Sequence, residues 1–256
     1  MSARVAWISR TPVKAFALEQ LDEIRLGEGG VESDRRFFLV GDTGRLINNK
    51  DVPAFHSVRA AYDPEQNVLT VLPAGGREIS GTVEHGEEVT TTFHSRPRAA
   101  RLVLAPWNDA LTQLAGRPLR LVEPDTSAVD RGRSGAVTLL ATASLAALGE
   151  QLGVASVDGR RFRMNFGIEG LRAHEEDTWI GRRVAIGDAV VIPLGNVGRC
   201  VITTQHPDTG VSDLDTLKGL AAYRRNIETT EPLPFGVHAS VVQPGTVRIG
   251  DAVSPA

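Results

Sequence analysis

Short apolar segments separated by glycine- and proline-containing turns run along the whole of this 256-residue chain. Its 26 glycines and 14 prolines interrupt most apolar runs before they reach the length of a typical helix. Both residues end regular structure, because glycine tolerates positive φ and proline lacks a backbone N–H. The pattern predicts many short strands joined by tight turns, with a few helices between them. We therefore expect an α+β fold that is mainly β.

The first 98 residues carry strand and loop signals, with hardly any helical periodicity. Apolar and β-branched residues predict strands at residues 5–8, 36–40, 57–62 and 68–72. Residues 41–44 and 63–67 have the composition of hairpin turns, and each lies next to a predicted strand. This part of the chain therefore reads as β-rich.

Three helices are predicted in the remainder, where apolar residues recur every three or four positions. The first covers residues 107–114 and ends before Gly116, a residue type that suits the left-handed position after a helix. The second is predicted over residues 139–152 and the third over residues 214–225. The predicted secondary structure thus changes from strands and loops to a region that contains helices, and we place a domain boundary at residue 98.

Residues 184–190 and 247–253 have nearly the same sequence, in which an Ile-Gly-Asp step is flanked by apolar residues. Each copy predicts a strand, a Gly-Asp turn and a second strand. Similar turn chemistry and internal duplication both explain the echo. Recurring hairpins of this kind support a β-barrel.

Composition excludes several classes of protein. A formal charge of −3 disfavours binding to nucleic acid or a membrane surface through an overall basic field. No stretch approaches the roughly 18–20 apolar residues of a membrane span, and the first residues lack the apolar core of a secretory signal. We therefore expect a cytoplasmic protein with neither nucleic acid nor a membrane as partner. The six histidines include no pair four residues apart, so a local zinc motif is not expected.

Cys200 is the only cysteine of the chain. Taken alone it has three possible roles: an inert core residue, a nucleophile, or a thiolate ligand to a soft metal. A nucleophile would need a histidine base, for which His206 and His238 are the candidates. The thiol lies in the segment Gly-Arg-Cys-Val-Ile-Thr-Thr-Gln-His-Pro-Asp-Thr-Gly at residues 198–210.

This segment and its neighbours resemble the MOSC domain, the carboxy-terminal domain of molybdenum cofactor sulfurases. The resemblance rests on the order and spacing of residues 161–165, 175–181, 198–204, 207–210 and 217–224. Thr-Pro-Val-Lys at residues 11–14 and the segment at residues 30–40 are similar to the β-rich domain that precedes MOSC in the amidoxime-reducing branch. The resemblance implies an amino-terminal β-rich domain at residues 1–98 and a MOSC β-barrel with a few helices at residues 99–256.

The resemblance also implies a molybdenum–molybdopterin cofactor, with Cys200 as the catalytic centre and the protein ligand to the metal. A thiolate suits this role, since molybdenum in a dithiolene accepts soft sulfur donors. Lys14, Arg35 and Arg163 match basic positions that line the family's cofactor pocket, and such side chains bind phosphate. Arg36 is a second candidate for the position that we assign to Arg35.

The same resemblance extends the cofactor-binding set to Asn165, Arg199, Thr203, Thr204 and Asp208. Asn165 would face the same side as Arg163 in a strand, since the two are two residues apart. Asp208 has an equal alternative role as a turn residue. Departures from the family pattern include Ala15 in place of serine, Val197 in place of cysteine and His206 in place of an acidic residue; they bear on substrate preference.

Two functions follow from the resemblance. The first is an oxidoreductase that reduces small N-hydroxylated substrates such as amidoximes and hydroxylamines, or N-oxides. With one cysteine the chain holds no iron–sulfur cluster of its own, so a separate flavoprotein or ferredoxin-like donor would supply electrons. The second is a carrier of molybdenum cofactor or sulfur without substrate turnover. A degenerate domain that binds no metal is a third alternative.

Overall fold

The computed structural model describes residues 2–104, 106–127, 129–229 and 231–256. The three α-helices of these residues are α1 (Trp107–Ala115), α2 (Thr142–Leu152) and α3 (Thr216–Arg224). Their strands are β1 (Arg4–Arg10), β2 (Glu19–Leu21), β3 (Glu23–Gly27), β4 (Gly30–Val31), β5 (Phe38–Val40), β6 (Leu46–Ile47), β7 (Arg59–Asp63), β8 (Val68–Leu72), β9 (Ile79–Thr82), β10 (Glu84–Phe93), β11 (Arg96–Leu104), β12 (Arg120–Pro124), β13 (Val137–Ala141), β14 (Phe166–Glu169), β15 (Val184–Ile186), β16 (Ala189–Gly198), β17 (Pro234–Gln243), β18 (Gly245–Arg248) and β19 (Val253–Pro255). The expectation of a mainly β fold with a few helices is therefore confirmed.

An eight-stranded half-barrel sheet has the strand order β19-β15-β16-β17-β13-β14-β1-β2. Its two edges come from opposite ends of the chain, because β1 pairs antiparallel with β14 while β19 pairs with β15. Glycine is required at residue 167, where a Cβ atom would lie 1.9 Å from the Trp7 ring. This close approach lets the amino-terminal strand join the carboxy-terminal sheet.

A five-stranded sheet has the order β10-β11-β12-β5-β6, and two three-stranded sheets have the orders β7-β8-β9 and β18-β3-β4. Sheets therefore combine strands from both sides of residue 98, since β12 joins β5 and β18 joins β3. One large core packs around Phe16, Phe37 and Trp107, and another around Phe166 and Trp179. Burial of these side chains is the main term that stabilises the fold.

Local sequence signals located several elements correctly. Strand β8 covers residues 68–72, and residues 63–67 connect it to β7 as a hairpin. Helix α1 ends at Ala115, and Gly116 follows with φ 65° in the left-handed region. Residues 184–190 form the predicted hairpin of β15 and β16.

Two predictions were wrong. The predicted helix at residues 139–152 begins only at Thr142, because Val137–Ala141 forms strand β13 between β14 and β17. A short apolar run has the same periodicity in a buried strand and in a buried helix. The second Ile-Gly-Asp copy forms the predicted strand, turn and strand but not a hairpin, since β18 pairs with β3 and β19 pairs with β15.

The described helices include none that is both long and apolar enough to span a bilayer.

Candidate functional site

A cavity of about 970 Å³ lies where the two halves of the chain meet. The amino-terminal half contributes the loop after β1, the turn before β5 and the tip of the β10–β11 hairpin. The carboxy-terminal half contributes the end of β16, the turn before β14 and the loop before β13. Lining residues include Lys14, Arg35, Arg98, Arg163, Cys200 and His238.

Cys200 follows the end of β16 and precedes a single turn of 3₁₀-helix at Val201–Thr204. Its carbonyl accepts hydrogen bonds from the Thr203 amide at 3.1 Å and from Thr203 Oγ1 at 3.0 Å. The thiol is exposed and lines the cavity. Cys200 is therefore not an inert core residue, and its loop leaves the sulfur free to bind a ligand.

Arg35 and Arg163 form a partly buried basic wall that also lines the cavity. The Arg35 guanidinium pairs with Asp34, and its Nη2 donates to the Arg163 carbonyl at 2.7 Å. Arg163 Nη2 donates to the Phe16 carbonyl at 2.7 Å. Burial lowers the pKa of Arg163, and the charge of Arg35 acts in the same direction. Both guanidinium groups stay charged, because arginine does not deprotonate in proteins.

Both arginines also have left-handed backbones, with φ 47° at Arg35 and φ 54° at Arg163. This conformation is unfavourable for a side chain that is not glycine, and the surrounding bonds hold it in place. The wall is thus rigid before any ligand arrives.

Lys14 lies on the same side of the cavity, with its side chain only 11% exposed. Its Nζ is 2.6 Å from Asp130 Oδ1, and the same oxygen is 2.8 Å from His94 Nε2. Burial lowers the pKa of Lys14, although Asp130 opposes this shift. Lys14 and His94 hold the pKa of Asp130 well below its usual range, and the opposing effect of burial is limited because the side chain is 54% exposed. Asp130 therefore balances part of the wall's positive charge.

Arg199 lines the cavity but directs its guanidinium into the protein. Nε donates to the Phe235 carbonyl at 2.9 Å, and Nη1 donates to the Phe162 carbonyl at 2.9 Å. Burial lowers the pKa of Arg199, while the neighbouring Cys200 acts in the opposite direction. Because its donors are engaged by carbonyl groups, Arg199 fixes the position of the cysteine loop.

Thr203 lines the cavity with Cys200, and its Oγ1 also lies 2.7 Å from Thr216 Oγ1. Thr204 is not in the cavity lining; its hydroxyl donates to the Val201 carbonyl at 2.8 Å. These contacts link the cysteine loop to the start of α3.

Asn165 is buried behind the wall rather than in the cavity lining. Its Nδ2 donates to Asp34 Oδ2 at 3.0 Å, and its Oδ1 accepts from the Thr138 hydroxyl at 2.8 Å. Asp34 in turn pairs with Arg35. Asn165 therefore acts on the wall through Asp34.

Arg36 and Asp208 lie away from the cavity lining. Arg36 Nη2 is 2.6 Å from Glu123 Oε1, and its guanidinium lies 4.8 Å from the Tyr62 ring centroid. Asp208 Oδ1 is 2.7 Å from Arg160 Nη1. The structure thus brings Arg35, not Arg36, to the cavity.

Sequence reasoning did not single out several lining residues, among them Asp130, Arg98, Phe93 and His94. The His-Ser pair at the hairpin tip lacks the glycine that usually marks such a turn. Asp130 lies in a segment without periodicity, so no local signal could show that its carboxylate reaches Lys14.

The described residues contain no group of three or more His, Cys, Asp or Glu side chains that could hold a metal ion. Cys200 supplies the thiol of the cavity, and Lys14, Arg35 and Arg163 line the same cavity as cations. This donor set fits a metal that brings most of its ligands on an anionic organic cofactor.

Comparisons with known proteins agree with this geometry. The MOSC domain model matches residues 126–254, and the MOSC N-terminal beta barrel domain model matches residues 2–104. The chain is 36% identical to mitochondrial amidoxime reducing component 2 of Bos taurus, over 94% of this chain and 80% of that protein. It is 31% identical to the Rattus norvegicus protein of the same name, over 88% and 73% of the two chains.

A molybdenum cofactor sulfurase of Oryza sativa subsp. japonica is 25% identical over 84% of this chain, but only 30% of that protein is covered. Among solved structures, the YUAD protein from Bacillus subtilis has a TM-score of 0.48 at 12% identity, covering 99% of this chain and 94% of that one.

Proposed function

We propose that this chain, which belongs to the MOSC family, is a molybdenum cofactor-dependent oxidoreductase of N-hydroxylated compounds. In this chain an amino-terminal β-barrel domain precedes the MOSC domain. The observation that carries the proposal is the exposed Cys200 thiol in a cavity that is also lined by the partly buried cations Lys14, Arg35 and Arg163. When bound, the cofactor would supply the electron pair that reduces the N–O bond. The substrates would be amidoximes, hydroxylamines or N-oxides.

Cys200 would be the protein ligand to molybdenum. Lys14, Arg35 and Arg163 would bind the phosphate of the molybdopterin, because they form a rigid cationic wall and keep N–H donors beyond those used within the protein. We assign this role to Arg35 rather than Arg36, since only the former lines the cavity.

The remaining predicted residues would act by positioning. Arg199 and Thr203 hold the cysteine loop, and Asn165 holds the carboxylate that orients Arg35. Thr204 and Asp208 would stabilise the segment that follows Cys200, through the Val201 carbonyl and through Arg160. These five residues would hold other side chains and the cysteine loop in place and would not react with the substrate.

The partner would be a separate electron-donor protein, either a flavoprotein or a ferredoxin-like protein. The chain has a single cysteine, whereas iron–sulfur clusters are held by several thiolates. The cytoplasmic location expected from the sequence stays a prediction.

A carrier of molybdenum cofactor or sulfur is the second candidate function. The exposure of Cys200 favours it, because a thiol that transfers cargo must be reachable by another protein. The sulfurase among the relatives points the same way.

Turnover separates the two functions. The protein would be produced in a host that makes molybdenum cofactor and assayed with reduced viologen and benzamidoxime. An oxidoreductase consumes many equivalents of benzamidoxime per molybdenum, and the Cys200→Ser variant consumes none. A carrier instead gives up its cargo once per chain. Metal-loaded protein that reduces no amidoxime, hydroxylamine or N-oxide would refute the enzyme proposal.

A further inference from the structure

The cations of the cavity form two groups that differ in their partners. The inner cations are Lys14, Arg35 and Arg163, and each contacts an acceptor of the protein. The rim cations are Lys50, Arg96 and Arg98, which also line the cavity. In the part of the chain that the structure describes, the side chains of the rim cations have no ion pair and no hydrogen bond. The rim therefore carries positive charge that the protein itself does not balance.

Arg98 is the most constrained of the rim cations. Its guanidinium carbon lies 4.4 Å from the centroid of the Phe93 ring. Its Nη1 atom is buried and has no hydrogen-bond partner among the described residues. Burial lowers the pKa of Arg98, and Asp130 opposes the shift. A buried donor without an acceptor is destabilising, and an oxyanion in the cavity would satisfy it.

The hairpin that carries Arg98 is stiff. Its two-residue turn has φ 48° at His94 and φ 66° at Ser95, the positive values that a type I′ turn requires at both positions. Phe93 pairs with Arg96 across the turn, and the Phe93 ring packs at 5.2 Å against Phe38. Arg96 and Arg98 are two residues apart on β11, so both side chains face the cavity. The two rim cations on this strand therefore project from the same face of one hairpin.

The rim lies next to the inner cations. The Phe93 ring has Lys14 Nζ at 5.3 Å and the Arg98 guanidinium at 4.4 Å from its centroid. The two charges are therefore separated by no more than about 10 Å, the sum of these distances. One ligand that fills the cavity could place one anion at the inner cations and a second anion at the rim cations.

We propose that the rim cations form a second oxyanion subsite, which selects N-hydroxylated substrates that also carry a carboxylate or phosphate group. This inference rests on the proposed function, since it names the substrate class of the same cavity. The inner cations already suffice for the phosphate of a molybdopterin. A nucleotide phosphate attached to the cofactor has the same chemistry as a substrate anion, and the test below separates the two sources.

The test compares two probes of one shape: neutral benzamidoxime and anionic 4-carboxybenzamidoxime. Calorimetry would measure their binding to the wild-type protein and to an Arg96→Gln/Arg98→Gln variant. Hydrogen bonds to charged groups are strong enough for the wild type to bind the carboxylate roughly tenfold more tightly. The double variant should bind both probes equally, with its affinity for benzamidoxime unchanged. The kcat/KM ratio of the two probes should follow the same pattern.

Arg101→Gln is the matched control, because Arg101 lies on β11 but pairs with Glu88 at the exposed surface. It removes a charge from the same strand and should keep the preference for the carboxylate. Arg98→Lys keeps the charge and should keep part of the preference, which guards against a loss caused by misfolding. Equal binding of the two probes by the wild type, or binding of neither, would overturn the proposal.

Cofactor analysis separates the substrate from a nucleotide. Acid treatment of the wild type should release no nucleotide, and the double variant should keep its molybdenum. Release of one nucleotide per molybdenum, with loss of metal in the double variant, would assign the rim to the cofactor and overturn the substrate assignment. The binding experiment needs no turnover, so its result stays informative if the enzyme proposal fails.

Discussion

The inner cations and Cys200 line the same cavity but differ in their exposure and in their contacts with the rest of the protein. The inner cations Lys14, Arg35 and Arg163 are mostly shielded from solvent, and each is held by a carboxylate or carbonyl of the protein. Cys200 is exposed, and among the described residues no hydrogen bond is made to its thiol. The difference shows which residues the protein needs in order to fold and which it needs only for its ligand.

Physical chemistry explains the difference. A buried charge is strongly unfavourable unless a partner compensates it, so the basic wall requires Asp34 as part of the structure. Asp130 is half exposed, and its contact with Lys14 contributes little to stability. A thiol at the surface needs no such support. Changes to the basic wall should therefore affect stability and ligand binding together, whereas changes to Cys200 should affect binding alone.

Asp34→Ala should give the largest effect. Asp34 is 3% exposed, pairs with Arg35 and accepts a 2.9 Å hydrogen bond from the Thr11 amide. Removing one partner of a buried ion pair leaves a charge uncompensated, so the free energy of unfolding should fall by about 3–5 kcal/mol. Urea unfolding measures the loss, and molybdenum content should fall as well.

Asp42→Ala in an exposed turn is the control. Full stability of Asp34→Ala would show that the wall is not part of the fold.

Glu176 extends the comparison, because it is a buried acid that pairs with no cation among the described residues. Burial raises its pKa from 4.5 to about 7, although the Ala141 amide and the Ser144 hydroxyl donate to the carboxylate. The folded state keeps a proton that the unfolded state has already released between these pH values. The stability is therefore complete below pH 4.5 and falls as the pH rises to about 7, by about 3 kcal/mol.

Glu176→Gln should flatten this dependence. Urea unfolding at about pH 5 and about pH 8 would show a smaller difference in the variant than in the wild type. Glu175→Gln is the neighbouring control, since burial does not dominate the pKa of Glu175. An unchanged pH dependence in Glu176→Gln would mean that the buried carboxyl stays ionised.

Asp130→Asn should give the smallest effect. The Asp130 side chain is 54% exposed, so its contact with Lys14 should contribute less than about 1 kcal/mol to stability. Without this carboxylate the basic wall is more positive, and inorganic pyrophosphate should bind to the metal-free protein about threefold more tightly at low salt. Calorimetry measures the change, and Glu88→Gln is the surface control. Weaker binding would instead show that Asp130 orients Lys14 for its ligand.

Much of the fold followed from local sequence signals. Alternating apolar residues located β8, and Gly116 located the end of α1, because turns and caps depend on a few adjacent residues. The family resemblance pointed to Lys14, Arg35, Arg163 and Cys200, and all four line one cavity.

The rest depends on contacts between distant residues. Nothing near Asp130 in the sequence indicates that its carboxylate meets Lys14, which is 116 residues away. Arg199 was predicted at the cofactor, but its guanidinium is engaged by the carbonyls of Phe162 and Phe235. The strand β13 was missed because pairing with β14 and β17 outweighs the local helical pattern of its apolar residues.

By the proposal above, Cys200 binds molybdenum and does not contribute to the stability of the fold. X-ray absorption at the molybdenum edge, with elemental analysis, tests it on wild-type protein and on Cys200→Ser made in a cofactor-producing host. We expect about one molybdenum per wild-type chain with a cysteine sulfur in its first shell, and at least about a tenfold loss of metal in the variant. The unfolding midpoint should stay the same. Equal metal content with an unchanged sulfur shell in Cys200→Ser would contradict the account.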